Sequence, residues 1–211
     1  MKLHTSVLLL LSVFVFSQCR FGTDSNKDKQ SIETDFKRGK DLDPKEWSCH
    51  KVENNTICIP SNWKFIEQNK VFYFTSLNNE DKNTFFTIIK FDTGLKNLNA
   101  GQYLQQGYSQ MLQDTVETLT GYTLKKMTFK DKISYYAEYF TKIKGEEYFA
   151  YSMVFEKKGL LYDIALKLSK EESPRYKETF KDILFNFRID NEFVFDEHDE
   201  MEKIDVIDLS K

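Results

Sequence analysis

Three consecutive segments of this chain alternate in the way that is typical of a β-sheet buried on both faces. The segments are 133–143, 147–156 and 160–168, and only the short turns KGE and KKG separate them. A period of two indicates strands, and connections this short make the three strands a meander. Bulky residues occupy both sets of alternate positions, as Tyr135 and Tyr136 illustrate. A sheet with one face in water would carry polar residues at every second position, so both faces are predicted to be covered.

Two segments with helical periodicity can supply that cover. Apolar residues fall at helical spacing in 98–119, and Gly121 suits a C-terminal stop. In 173–188 a similar stripe follows Ser173 as the N-cap, with Pro174 at the first helical position. Further strands are predicted at 47–52, 56–59, 63–68, 71–77, 84–91 and 122–129. The sequence therefore predicts an α+β fold with a largely antiparallel sheet covered by helices on both faces, an αβα sandwich.

Composition and charge narrow the class of protein. The 211 residues are 40% hydrophobic, 30% charged and 15% aromatic, which excludes an intrinsically disordered chain. The length fits one domain with appendages. Lysine and arginine number 30 against 33 aspartates and glutamates. This balance lacks the cationic excess that binding to phosphate backbones requires, so we expect no nucleic-acid partner.

The N-terminus has the features of a secretory signal. A single cation, Lys2, precedes an apolar run over 7–16, which is too short to cross a bilayer as a helix because a crossing needs about 20 residues. Ser17, Gln18 and then Cys19 follow the run, and this arrangement resembles the bacterial lipoprotein signal. Cys19 would then become the lipid-modified (palmitate-bearing) first residue after cleavage of the signal peptide 1–18. The expected location is the bacterial cell envelope, with a lipid anchor in the outer membrane and the domain in the periplasm. The alternative is a conventional signal peptide with an incidental cysteine.

The rest of the chain divides into three parts by composition. The segment 19–44 contains 12 charged residues and few large apolar ones, so we interpret it as the lipidated cysteine and a flexible tether. A globular domain is expected over 45–189. The segment 190–211 carries nine acidic residues against two lysines and is interpreted as an acidic C-terminal tail. Within it, 203–209 alternates well enough to add as a strand to a sheet edge, in this chain or in a partner.

Two cysteines remain in the domain, an even number in an oxidising compartment. Cys49 and Cys58 lie in two short β-prone runs, and a hairpin centred between Glu53 and Asn54 places them opposite each other. This geometry allows a disulfide. The alternative is a metal site that includes His50, but adjacent residues of a strand point to opposite faces, so Cys49 and His50 do not converge.

The order of the elements resembles a known group of proteins. The resemblance rests on four segments, which are ICIPSNW (57–63), YLQQGYSQML (103–112), KGEEYFAYSMVFEKKGLLYDIAL (144–166) and YKETFKDILFNFRI (176–189). Together they are similar to the PsbP/Mog-like fold, a group with photosystem accessory proteins, Ran-binding proteins and bacterial lipoproteins of the DcrB type. The resemblance covers about 45–189. It implies an accessory or adaptor domain that binds proteins, without a common set of catalytic residues.

The residues themselves show no convincing reaction centre. Outside the signal peptide the histidines are His50 and His198, and Ser109 lacks the second glycine of a nucleophile elbow. The glycines do not form a phosphate-binding loop. The paired carboxylates lie at turns where solvated charge is expected, at Glu146, Glu147, Glu171 and Glu172. We therefore expect no catalytic residues, no metal, no cofactor and no enzyme activity.

Two functions remain open at this point. The favoured one is a non-catalytic, membrane-anchored envelope lipoprotein that binds another envelope or secreted protein. Its predicted binding surface is the aromatic meander, with Tyr135, Tyr136, Tyr139, Tyr148 and Tyr151. The alternative is a small-ligand carrier with an aromatic pocket between sheet and helix, lined by Tyr135, Tyr139, Tyr151 and Phe155. A filled interior favours the adaptor, and a cleft of several hundred cubic ångströms there favours the carrier.

Overall fold

The structure is a computed structural model that describes residues 41–68, 71–76, 85–92, 98–170, 173–196 and 199–208. The signal peptide, Cys19, most of the tether and the turn expected at 78–83 lie outside these residues. The strands are β1 (Trp47–Val52), β2 (Asn55–Pro60), β3 (Trp63–Gln68), β4 (Val71–Ser76), β5 (Phe85–Asp92), β6 (Glu117–Phe129), β7 (Ile133–Ile143), β8 (Glu146–Lys157), β9 (Leu160–Ser169), β10 (Arg188–Ile189), β11 (Glu192–Phe193) and β12 (Met201–Ile207). The helices are α1 (Ala100–Met111) and α2 (Ser173–Asn186).

The strands form two antiparallel sheets. The large sheet has eight strands in the order β12-β6-β7-β8-β9-β5-β4-β3, and the small sheet has four in the order β1-β2-β10-β11. The predicted meander occupies the centre of the large sheet, where β7, β8 and β9 are successive neighbours. The α+β class and the largely antiparallel sheet are confirmed.

Both faces of the large sheet are covered, as the alternation predicts. One face packs against α2 and the small sheet, and Phe155, Phe180 and Ile57 from these three layers share one buried cluster. The other face packs against α1, with Leu104 buried among residues of the central strands such as Val154. The αβα arrangement is therefore present, and the small sheet shares a face with α2.

The first helix is shorter than the predicted segment 98–119. α1 ends at Met111, and Asp114 then forms a turn in which its Oδ1 accepts a hydrogen bond from the backbone N–H of Val116 at 2.7 Å. The following residues, rich in β-branched side chains, begin β6 at Glu117 instead of 122. Gly121 does not end a helix; it lies at a β-bulge of β6. The prediction failed because Val116 and Leu119 keep a helical spacing of three, whereas the β-branched residues of this segment favour a strand.

The predicted hairpin and the predicted disulfide are both present in the structure. β1 and β2 form a hairpin in which Cys49 lies opposite Cys58, and the two form a disulfide. The turn is at Glu53, whose φ of 53° is in the left-handed region. The bridge links two neighbouring strands of the small sheet.

The chain after residue 189 remains packed on the domain in the part that the structure describes. Val194, Phe195 and Met201 are buried in the cluster shared with α2. β12 pairs antiparallel with β6, from Met201 opposite Phe129 to Ile207 opposite Leu124. The strand predicted within 203–209 is therefore present over 203–207, at an edge of this chain's own sheet.

Candidate functional site

A surface groove of about 690 Å³ lies beyond the N-terminus of α1. α1 begins at Ala100, and among the described residues no helix covers its face of the sheet beyond this end. The groove is lined by residues of three strands, which are Lys126 and Thr128 of β6, Tyr135 of β7 and Glu156 of β8. The turn between β6 and β7 and Glu202 of β12 also contribute.

The N-terminus of α1 forms one wall of the groove. Asn99 caps the helix by accepting a hydrogen bond from the N–H of Gln102, and Gln102 accepts one from the N–H of Asn99. The N–H of Ala100 donates to Oε1 of Glu156 at 2.7 Å, which ties the helix to the sheet. A Cβ at Gly101 would lie 2.8 Å from the Tyr135 hydroxyl oxygen, so glycine allows Tyr135 to approach the helix closely.

The turn between β6 and β7 forms another wall. Nζ of Lys132 donates to the carbonyl oxygen of Val194 at 2.8 Å and to Oδ2 of Asp199 at 2.6 Å. The same ammonium lies over the rings of Phe129 and Phe195, 5.3 and 5.4 Å from their centroids. The turn is therefore held against the C-terminal segment. Next to it, Ile133 is 44% exposed and presents apolar surface to the groove.

Aliphatic side chains and tyrosine rings pack together between α1 and the sheet. Tyr108 of α1 stacks on Tyr122 with ring centroids 6.2 Å apart and meets Tyr139 edge-on at 5.4 Å. Tyr103 donates its hydroxyl proton to Oδ2 of Asp163 at 2.6 Å. The contacts between α1 and the sheet therefore stabilise the fold.

Asp163 is a desolvated carboxyl group beneath α1. Burial raises its pKa above the usual value, and the hydrogen bonds from Tyr103 and Ser152 offset only part of that rise. Burial and the charge of Asp163 also raise the pKa of Tyr103 and of Tyr139. These tyrosines are neutral at physiological pH, so they act as hydrogen-bonding and packing groups.

The five tyrosines of the predicted binding surface do not share one surface. Tyr136 and Tyr151 belong to the cluster beside α2, whereas Tyr135 and Tyr139 pack on the α1 side. Tyr148 is 2% exposed and donates its hydroxyl proton to Glu146 at 2.8 Å. Of the five, Tyr135 lines the groove. The binding role stays a prediction, and Tyr135 is the member placed to serve it.

The pocket expected for a carrier is not formed by its four residues. Tyr151 and Phe155 are 3% and 2% exposed in the core beside α2, and Tyr135 and Tyr139 lie on the opposite face of the sheet. Side chains on opposite faces of one sheet cannot line a common cavity. The groove that does exist is polar and charged for most of its lining.

Two of the residues considered for catalysis or metal binding, His50 and Glu147, have structural partners. His50 stacks on Phe65 with centroids 5.7 Å apart. Glu147 forms an ion pair with Lys170 at 2.6 Å, which holds the pKa of this carboxyl below its usual range. Within the described ranges, no three His, Cys, Asp or Glu side chains are placed to hold a metal ion. His198 lies outside those ranges.

Sequence reasoning missed Lys126, Ile133 and Glu156 as candidate site residues. They lie on three different strands, and only the tertiary structure brings them together. No local signal in the sequence pointed to this juxtaposition, because the early end of α1 at Met111 lies at the opposite end of the helix from the groove.

Comparisons with known proteins were made with the sequence and with the structure. No family model matches the chain, and no curated protein matches its sequence. Among solved structures, it is similar to cyanobacterial PsbP (CyanoP) from Synechocystis sp. PCC 6803, with a TM-score of 0.52, 12% identity, and coverage of 72% of this chain and 96% of that one. It is also similar to LpqN of Mycobacterium tuberculosis, described as involved in cell envelope biogenesis, with a TM-score of 0.44, 12% identity, and coverage of 70% and 86%.

None of the helices in the described residues has the length and apolar character needed to cross a membrane. The likeness to CyanoP extends over almost all of that protein. At 12% identity the likeness concerns the fold. The chain therefore has a PsbP-like α+β fold.

Proposed function

We propose that this protein is a non-catalytic accessory protein of the bacterial cell envelope that binds another protein through the groove beside α1. The observation that carries the proposal is the contrast between a filled interior and an open, polar groove. Tyrosine rings fill the space under α1, whereas about 690 Å³ lies open between α1, β6 and β12.

The chemistry of the groove supports a protein partner over an apolar small molecule. Small-molecule sites are mostly apolar and enclosed, with a few polar groups for orientation. This groove instead combines charged side chains such as Lys126 and Glu202 with the half-exposed Ile133 and Tyr135. A combination of apolar and charged side chains is typical of protein-binding surfaces.

The proposed anchor is the lipid on Cys19, followed by the tether 20–44. A flexible coil of this length would hold the domain roughly 25–30 Å from the membrane on average. That distance would leave the groove accessible to envelope or secreted proteins.

Site-specific photo-crosslinking in intact cells tests the proposal. A photoreactive amino acid is incorporated at Ile133 or at Lys126 in the groove, and at Lys64 as the control. Lys64 is exposed on β3, at the opposite edge of the large sheet. We expect the two groove positions to form crosslinks with the same partner and Lys64 to form none. Equal crosslinking at Lys64, or none at the groove positions, would overturn the proposal.

A further inference from the structure

β12 is an edge strand of the large sheet and carries an unusual pattern of exposed charge. It pairs on one side with β6, and its other side has no neighbouring strand among the described residues. Lys203 and Asp205 point to the same face and are 67% and 40% exposed, with Nζ and Oδ1 2.7 Å apart. Val206 is 55% exposed. Unpaired edge strands present backbone donors and acceptors that another strand can use.

The outward backbone groups of β12 allow only certain registers with a second copy of β12. In an antiparallel pair, residues whose N–H and C=O groups point outward must lie opposite residues of the same kind. A two-fold symmetric pair therefore has one residue at its centre, opposite its own copy. Centres at Lys203, Ile204 and Asp205 give the greatest overlap of the seven-residue strand.

Charge distinguishes these three registers. A centre at Lys203 places two lysines opposite each other, and a centre at Asp205 places two aspartates opposite each other. Like charges directly opposite are destabilising. A centre at Ile204 instead places Lys203 of each copy opposite Asp205 of the other, twice by symmetry. Ile204 is also the midpoint of β12, so this register overlaps all seven residues, with the bulge between Met201 and Lys203 at the end of the overlap.

We infer that β12 is a self-association edge, which pairs antiparallel with β12 of a second copy of this chain about Ile204. The two eight-stranded sheets then form one continuous sheet, with the α1 faces of both copies on the same side because residues of like parity lie opposite each other. The bulge between Met201 and Lys203 lies outside the central residues of the pair. The lipid anchor of the proposed function would raise the effective concentration of the copies, although the register argument does not depend on it.

Charged residues on an edge strand often protect against association. Whether they prevent or favour association depends on the register in which the second strand pairs. Lysines protect an edge when the approaching strand brings lysines or apolar residues to them. Here the same strand supplies both signs two residues apart, so the symmetric register about Ile204 is complementary. The geometry thus favours one specific partner strand over an arbitrary one.

Cysteine crosslinking of the full chain in intact cells tests the register. In the Ile204→Cys variant the two Cα atoms lie about 5 Å apart across the pair, within reach of a disulfide. In the control Val206→Cys, the same pair of atoms would lie about 14 Å apart, since four residues of strand separate them. Val206 is the more exposed position, so random collision would favour it. We expect a disulfide-linked dimer for Ile204→Cys alone. A dimer for Val206→Cys at the same level, or none for either variant, would overturn the inference.

Charge reversal of the full chain provides an independent test that leaves Ile204 in place. Lys203→Glu and Asp205→Lys each create two like-charge pairs in the proposed dimer, and we expect each to weaken association about ten-fold. The double variant restores opposite charges across the pair and should restore dimerisation. Sedimentation in detergent measures the dimer fraction, and thermal unfolding checks that the variants fold. Single variants that dimerise like the wild type, or a double variant that stays monomeric while folded, would contradict the register.

Discussion

At the scale of single residues, Asp163 is a carboxyl group whose pKa is raised by burial. It lies under α1 without an ion-pair partner among the described residues, and it accepts hydrogen bonds from Tyr103 and Ser152. Because burial outweighs these hydrogen bonds, its pKa is higher in the folded chain than in the unfolded chain. The folded state therefore binds more protons at this site, and the contribution of Asp163 to stability falls as the pH rises through the raised pKa.

We predict that Asp163→Asn raises the melting temperature at pH 7 by a few degrees, because the amide accepts the Tyr103 hydrogen bond without a buried charge. The difference from the wild type should shrink as the pH falls toward the range in which the Asp163 carboxyl is protonated. Thermal unfolding from pH 4 to pH 8 measures both effects. A variant that is less stable than the wild type at pH 7 would show that the hydrogen bonds outweigh the cost of burial.

At the scale of elements, α1 combines a strong cap with two glycines in 12 residues. Gly107 has open space where a Cβ would be, whereas a Cβ at Gly101 would meet the Tyr135 hydroxyl. Glycine inside a helix is destabilising by roughly 0.5–1 kcal/mol relative to alanine. The two positions therefore form a matched pair, in which the same substitution has opposite expected effects.

We predict that Gly107→Ala stabilises the domain by about 0.5–1 kcal/mol. Gly101→Ala should give no gain or a loss, because the new methyl group displaces Tyr135. Combining Gly101→Ala with Tyr135→Phe removes the hydroxyl and should recover the gain. Denaturant unfolding of the three variants is the measurement. An equal gain at both glycines would mean that Tyr135 does not press on the helix.

The hairpin of β1 and β2 is the second element with a testable feature. Its disulfide closes a loop with a sequence separation of nine residues, and Ile57 and Ile59 of β2 are fully buried in the core. We predict that Cys49→Ser with Cys58→Ser lowers the free energy of unfolding by about 2–3 kcal/mol while the fold persists. Denaturant unfolding and circular dichroism measure this. In intact cells, Cys49 and Cys58 of the wild type should resist alkylation until a reductant is added, and free reaction would argue against the bridge.

At the scale of the whole molecule, we expect the N-terminus to anchor the protein and the folded domain to bind the partner. We predict that Cys19→Ser moves the protein from the membrane fraction to the soluble periplasmic fraction, because the lipid is the proposed anchor. Labelling with a fatty acid should mark the wild type and not the variant. A wild type without label would contradict the lipoprotein assignment, whatever the outcome for the groove.

Much of the architecture could be predicted from the sequence because it depends on local period and short connections. Residues near one another in the chain determine three of these features: the meander of β7, β8 and β9, the apolar stripe of α2 and the pairing of Cys49 with Cys58. The end of α1 could not be placed, because Val116 and Leu119 continue the helical spacing although they lie beyond the helix. The depth of each tyrosine was also unpredictable, since alternation gives the face but not what covers it.

The sequence by itself determined that this chain forms an antiparallel sheet with cover on both faces, since side-chain period and turn length act locally. Only the tertiary structure decided where that cover stops. The groove exists because Lys126, Ile133 and Glu156 of separate strands meet beside the N-terminus of α1, which begins at Ala100. Likewise, the alternation of 203–207 was compatible with any sheet edge. Burial of Val194, Phe195 and Met201 brings the C-terminal segment to the edge of β6, and the segment pairs there. Contacts between distant parts of a chain depend on which surfaces remain unburied after local structure has formed, and that is a property of the whole fold.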